Sequence, residues 1–221
     1  MEASVVAQEV ELPGGAVRVL QPRESAELPD DGPVEWAPLV PYWSVLWRSG
    51  LALAGEVARE GLRGRRVVEL GCGLALPSLA AARAGAEVLA TDADPEAIEL
   101  LAPNSALNAL NVEGQVFDWS SAAASDALVR RGPFDLVLAA DVLYERPTVA
   151  RMLSLLPRLA PAAWLADPAR PTAAVFLEQA RRRGWEVETV THGVIDVHRL
   201  RFGRPVAREH EDGHDHERSA E

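Results

Sequence analysis

Apolar positions along the chain recur at two spacings, and the changes from one to the other mark out elements. Residues 17–20, after the Pro13-Gly14-Gly15 turn, read as a strand in a short β-rich lead-in. The stretch 22–41 is rich in proline and acid and reads as a loop or cover. Residues 43 to about 60 place Leu46, Leu53 and Val57 on one face and predict a single amphipathic helix. Val67-Val68-Glu69 is a strand, 76–84 an alanine- and leucine-rich helix, and 87–91 a second strand. Asp94 followed by Pro95 starts another helix, with Ile98, Leu101 and Leu107 at helical spacing. Pro103 is expected to kink or break it. A third strand covers 114–117, an alanine- and serine-rich segment follows, and 134–139 is an apolar fourth strand. A leucine-rich helix at 147–159 leads to a fifth strand at 162–166. The helix 172–183 is stopped by Gly184, and 185–190 and 194–201 alternate as two closing strands.

Five strands separated by helices imply a mostly parallel sheet. The last two are joined too tightly for a parallel crossover, so they form an antiparallel hairpin. The expected fold is α/β, a Rossmann-like doubly wound seven-stranded sheet with an antiparallel C-terminal hairpin. Residues 1–42 are a β and loop lead-in, 43–203 one domain, and 204–221 a charged, disordered tail holding His210, His214 and His216.

Composition changes this picture little. The 221 residues, 48% hydrophobic and 25% charged, suit one globular domain. No apolar run approaches the roughly 18 residues of a membrane span, and the acidic N-terminus is unlike a signal peptide. A single cysteine fits a reducing cytoplasm. All 22 basic residues are arginine, as in proteins of GC-rich genomes, and their short clusters at 63–66 and 181–183 read as solvated helix ends. The net charge of −11 argues against nucleic acid and favours a basic or lysine-presenting partner. No metal site is expected.

The chemistry gathers around Glu69-Leu70-Gly71-Cys72-Gly73 and Asp92. A strand, a glycine turn, a helix and a second strand ending in a carboxylate build the crevice where doubly wound proteins hold an adenosine-containing cofactor. Gly71 and Gly73 allow close backbone approach, Cys72 is a small residue between them, and Asp92 is placed to accept from ribose hydroxyls. The dinucleotide pattern needs a small residue where Leu76 stands, and the phosphate-loop pattern needs a lysine, which the chain lacks. Glu69 is out of place beside a pyrophosphate but suits a cofactor bearing an ammonium and a sulfonium. At the third strand end, Asp118 can accept from an adenine amino group and Trp119 can stack on the ring. Trp47, on the helix before the sheet, can cover the ligand. After the fourth strand, Asp141-Val142-Leu143-Tyr144 sets a carboxylate and a phenol beside the reacting centre.

The glycine segment resembles motif I of the class I S-adenosylmethionine (SAM) methyltransferases, with Ala75 in place of the usual third glycine. The Asp-x-x-Tyr run resembles that of the lysine-directed branch. Ala166-Asp167-Pro168-Ala169-Arg170-Pro171 is similar to a run in the electron-transfer-flavoprotein β-subunit lysine methyltransferases and their bacterial relatives, as are Asn104, Asn108 and Asn111 on the second helix. The resemblance spans about residues 38–190. It implies that Trp47, the Gly71–Gly73 turn, Asp92, Trp119 and Ala140 contact SAM, that Asp141 and Tyr144 serve methyl transfer, and that S-adenosyl-L-homocysteine is released. The expected acceptor is a protein lysine. A small-molecule amine, or SAM binding without catalysis, are the alternatives. The signature used on exocyclic base amines is absent.

Overall fold

The computed structural model describes residues 4–26 and 41–202. The stretch 27–40 and the tail expected at 204–221 lie outside the described residues. The chain opens with a hairpin of β1 (Val5–Leu12) and β2 (Gly15–Pro22), followed by α1 (Arg23–Ala26), a 3-10 turn (Tyr42–Ser44) and α2 (Arg48–Val57). Alternation then follows: β3 (Arg66–Leu70), α3 (Leu76–Arg83), β4 (Glu87–Asp92), α4 (Pro95–Leu107), β5 (Glu113–Val116), α5 (Ala122–Arg131), β6 (Leu136–Ala140), α6 (Arg146–Leu159), β7 (Ala162–Asp167), α7 (Pro171–Arg182), β8 (Trp185–His192) and β9 (Ile195–Phe202).

The main sheet has seven strands in the order β5-β4-β3-β6-β7-β9-β8. The first five pair in parallel and β8 and β9 form an antiparallel hairpin, as the sequence predicts; it is β9 that lies antiparallel against β7. Alternate residues of each central strand serve opposite layers. Val67, Leu136, Leu138 and Trp164 pack towards α2, α3 and α4, while Val68, Leu70, Val137 and Leu165 pack towards α5, α6 and α7. Strands covered on both faces read as continuous apolar runs, which is why β3 and β6 stand out in the sequence.

Three expectations change, and the β-rich lead-in gains its detail. The helix predicted over 43 to about 60 is split into the 3-10 turn, an extended link and α2. Ser44 explains the split: its hydroxyl lies 2.6 Å from the Pro41 carbonyl and 2.6 Å from the Ser25 hydroxyl, while the Trp47 indole donates to the Tyr42 carbonyl at 2.9 Å. Pro103 does not break α4, which runs on to Leu107 with the hairpin gripping the turn that follows. Asn104 accepts from the Leu20 amide at 2.6 Å, and Asn108 accepts from and donates to the Arg18 backbone. The alanine- and serine-rich segment forms α5, capped by the Ser121 hydroxyl on the Ala124 amide. Finally, the lead-in is a two-stranded hairpin laid on α3 and α4, with Arg83 donating to the carbonyls of Pro13, Gly15 and Ala16.

Candidate active site

β4 and β5 extend from one side of β3, and β6 and β7 from the other. The winding reverses between β3 and β6, and ligands of doubly wound proteins enter at the carboxyl ends of strands flanking such a reversal. A cavity of about 190 Å³ lies there. Its floor is the segment 71–77 after β3, one wall is Asp92 and Trp119, and the opposite wall is Ala140, Asp141 and Val142. Trp43 and Trp47 roof it and Tyr144 stands at its mouth. Every site residue predicted from the sequence borders this space except Asp118.

The glycine turn is shaped by what crosses it. Gly71 and Gly73 have φ of +68° and +50°. A Cβ on Gly71 would lie 3.2 Å from the Trp119 ring and 3.2 Å from Val142; one on Gly73 would lie 2.8 Å from the Trp43 carbonyl oxygen. Positions 71 and 73 therefore have no room for a side chain, and the turn is held from within, the Cys72 amide donating to the Thr91 carbonyl at 2.9 Å and the Ala75 amide to the Cys72 carbonyl at 2.7 Å. Asp92 braces it, accepting from the Gly73 amide at 2.8 Å and the Asp94 amide at 3.0 Å. Burial raises its pKa against the pull of those amides. Ala75 occupies the left-handed region at φ 59°, a conformation that a third glycine would adopt without strain.

Glu69 departs from expectation. It borders the cavity, but its carboxylate turns to α3 and accepts from the Ser78 amide at 2.9 Å and from the Ser78 hydroxyl. It thereby satisfies an amide in the first turn of α3, whose N-cap Ala75 has no side-chain acceptor. Burial pushes its pKa up to about 8, the Ser78 bonds opposing. Cys72 is buried in the turn; burial, then Glu69 and Asp92, hold its thiol well above the usual range, which removes it as a nucleophile. Asp118 is exposed, and both its oxygens are taken by Ser120, from the amide at 2.7 Å and the hydroxyl at 2.6 Å. Those bonds lower its pKa, and it stays outside the cavity.

Across the cavity Asp141 also has a left-handed backbone, φ 58°, fixed by its amide bonding to the Ala166 carbonyl of β7 at 2.9 Å. That twist aims the side chain at the β7–α7 turn, where Arg170 Nη1 lies 2.7 Å from its Oδ1. The same nitrogen is 2.9 Å from Asp167 Oδ2, and the Arg170 amide donates to Asp167 Oδ1 at 2.7 Å. Burial raises the Asp141 pKa; the Ser49 hydroxyl and the Arg170 cation pull it back. Tyr144 is 57% exposed, and burial together with Glu145 raises its phenol. Arg170, Trp43 and Ser78 are the participants that the sequence reading missed. Arg170 alone carried a signal, the Asp-Pro-Ala-Arg-Pro run, without a role attached.

The residues fit an adenosine-bearing cationic cofactor. The Trp119 ring borders the cavity beside the glycine turn, close enough to leave no room for a Cβ on Gly71, two carboxyl groups border the cavity floor, and the Trp43 indole N–H in its roof is buried without an acceptor among the described residues. This strand order with a glycine turn at the reversal defines the class of Rossmann-like SAM-dependent methyltransferases. Solved structures share the fold: a 16S rRNA N2 methyltransferase of T. thermophilus (TM-score 0.64, 18% identity, covering 89% of this chain and 50% of that one) and a SAM-dependent methyltransferase described from Streptococcus mutans (TM-score 0.60, 14% identity, covering 91% and 56%). Within that class, the family model described as lysine methyltransferase matches residues 43–164, and the chain belongs to that family.

Among curated relatives, the electron transfer flavoprotein β subunit lysine methyltransferase of Rattus norvegicus is 31% identical over 137 residues, covering 58% of this chain and 49% of the relative. The protein N-lysine methyltransferase METTL21A of Danio rerio is 32% identical over 120 residues (52% and 55%), and the EEF1A lysine methyltransferase 3 of Mus musculus is 28% identical over 169 (76% and 67%). The chain spans about half the length of the first two. Among the described residues, no helix is long and apolar enough to cross a membrane.

Proposed function

We propose that this chain transfers the methyl group of SAM to the side-chain nitrogen of a lysine in a protein. The observation that carries the reading is that one cavity joins the glycine turn and Asp92, at its cofactor end, to Asp141 and Tyr144 at its mouth. Family membership and relatives whose names specify protein lysines support the acceptor. Residues 43–203 form the methyltransferase unit and the preceding residues its lead-in. The single cysteine supports work in a reducing cytoplasm.

When bound, SAM supplies a methyl group on a cationic sulfur that departs as a neutral thioether. The Gly71–Gly73 turn would hold the cofactor by backbone approach, Asp92 would accept from its ribose hydroxyls, and Trp119 and Trp47 would cover it. A lysine amine has an ordinary pKa near 10.4, so its proton leaves to solvent before attack. The nitrogen lone pair forms the new N–C bond while the S–C bond breaks with its electron pair going to sulfur. Asp141 orients the amine and stabilises the positive charge growing on nitrogen; the Tyr144 hydroxyl lines up the entering chain. Alignment and exclusion of water supply most of the rate.

The test is incubation of the purified protein with tritiated SAM and extract of the source organism, resolved by gel and by small-molecule chromatography. Base-resistant label in discrete protein bands is expected. Label confined to small molecules overturns the protein acceptor, and no label despite calorimetric SAM binding overturns catalysis.

A further inference from the structure

The turn after β7 lies outside the cofactor end of the cavity, yet it makes the shortest ionic contact with the proposed acceptor carboxylate. Arg170 is the N-cap residue of α7, and its place is set by the chain before it. Asp167 ends β7 fully buried and holds Arg170 twice, through the amide at 2.7 Å and through Nη1 at 2.9 Å. Ala169, at φ 57°, turns the backbone back so that both contacts close within three residues. What remains of Nη1 is presented to Asp141 Oδ1 at 2.7 Å. Arg170 is 30% exposed along its side chain while Asp141 is 14% exposed, so the pair is half-shielded from water, where an ion pair is worth more than at an open surface.

We propose that Arg170 is a positioning residue for methyl transfer: anchored by Asp167, it fixes the Asp141 carboxylate at the acceptor end of the cavity and holds it as an anion. This rests on the lysine-directed reading of the site. Two features separate the role from simple turn closure. The turn is already closed by the Arg170 amide on Asp167, which needs no guanidinium. The guanidinium instead reaches across to another strand end, 29 residues earlier in the chain. The groups facing Asp141 are Arg170 and Asp167 from the β7–α7 turn and Ser49 from α2. Tyr144 on its own loop, and Glu69 and Asp92 across the cavity, complete the set. Arg170 is the only cation of these, so its removal leaves Asp141 among carboxyl groups and two hydroxyls. A carboxyl group in that company protonates at higher pH.

The experiment compares the full chain with Arg170→Gln and Arg170→Lys. Carbon-13 NMR of carboxyl-labelled aspartates, with Asp141 assigned by its loss in Asp141→Asn, follows the Asp141 titration directly. The midpoint is expected to rise by at least one pH unit in R170Q and to return part of the way in R170K. SAM affinity by calorimetry should stay within about twofold in both, which also shows that they fold. In R170Q, methyl transfer to the labelled protein band should be about tenfold lower, through kcat, one pH unit below the raised midpoint than well above it. An unchanged Asp141 midpoint in R170Q, or a loss of activity that does not follow that midpoint, overturns the proposal. Absence of methyl transfer by the unmodified chain would instead overturn the functional reading, because the NMR titration needs no acceptor.

Discussion

Glu69 and Asp141 stand at the carboxyl ends of neighbouring parallel strands and border one cavity, but their surroundings treat them differently. Glu69 meets only neutral donors, the amide and hydroxyl of Ser78, and burial carries its pKa to about 8. Asp141 is less deeply placed and has a guanidinium at 2.7 Å that opposes the effect of burial. At Glu69 the two hydrogen bonds pull against burial and lose; at Asp141 a cation is added to the hydrogen bonding that opposes burial. The first end of the cavity is thus a structural brace without a counter-charge, and the second a carboxyl group with one.

The largest expected effect comes from taking the charge off the second end. Asp141→Asn keeps the side-chain shape, and asparagine tolerates the left-handed backbone that the position requires. Methyl transfer should fall about 10³-fold, in the range for loss of a positioned acid–base or electrostatic group, with SAM affinity preserved in calorimetry. Comparable turnover would dissolve the contrast between the two carboxyl groups.

Next is the pH dependence of stability. In the unfolded chain Glu69 ionises near 4.5, and in the fold near 8. Its stabilising share is complete below 4.5 and is lost as pH rises through about 8, because the unfolded chain ionises freely while the native protein resists. The slope reaches about 1.4 kcal/mol per pH unit within that window. Glu69→Gln can still accept from Ser78 and should flatten the window, gaining about 4 kcal/mol over the parent chain near pH 8. Denaturant midpoints measured from pH 5 to 8.5 decide it; parallel curves would mean that Glu69 is charged in the fold.

A smaller effect is expected at Asp92. Asp92→Ala removes the acceptor from the Gly73 and Asp94 amides as well as from the ligand, and should weaken SAM binding about 10- to 100-fold, the size of one or two charge-assisted hydrogen bonds. Unchanged affinity would detach this carboxylate from the cofactor end. The smallest is Asp118→Ala. It lies outside the cavity, so SAM affinity should change less than about twofold. A tenfold loss would restore the adenine contact that strand-end position alone suggested.

What was legible in the sequence is what is local. The Gly71–Gly73 turn, Asp92 and the Asp94 cap lie within a few residues of the elements they shape, and the apolar runs of β3 and β6 follow from burial on both faces. The Ser121 cap and Gly132 bracketed α5, but a polar-faced alanine run lacks the apolar stripe that makes a helix conspicuous. Side-chain direction was less accessible. Glu69 and Asp118 were assigned from strand-end position, and in each case a serine at a short separation captured the carboxylate. The Asp141–Arg170 pair joins two motifs that the sequence displayed separately, and only the register of β6 on β7 brings them together.

The roof of the cavity has a different kind of support. Ser44, between Trp43 and Trp47, is bonded to Ser25, and its carbonyl accepts from Gln21 at 3.0 Å, so the roof hangs from the N-terminal hairpin. The Trp43 carbonyl in turn rests against Gly73. A ligand bound only beneath this roof would have its occupancy linked to order in the hairpin, and linkage is reciprocal. A ligand that holds the roof closed must slow amide exchange in β1 and β2, some distance from any atom it touches, by the same free energy that loosening the hairpin would subtract from its binding.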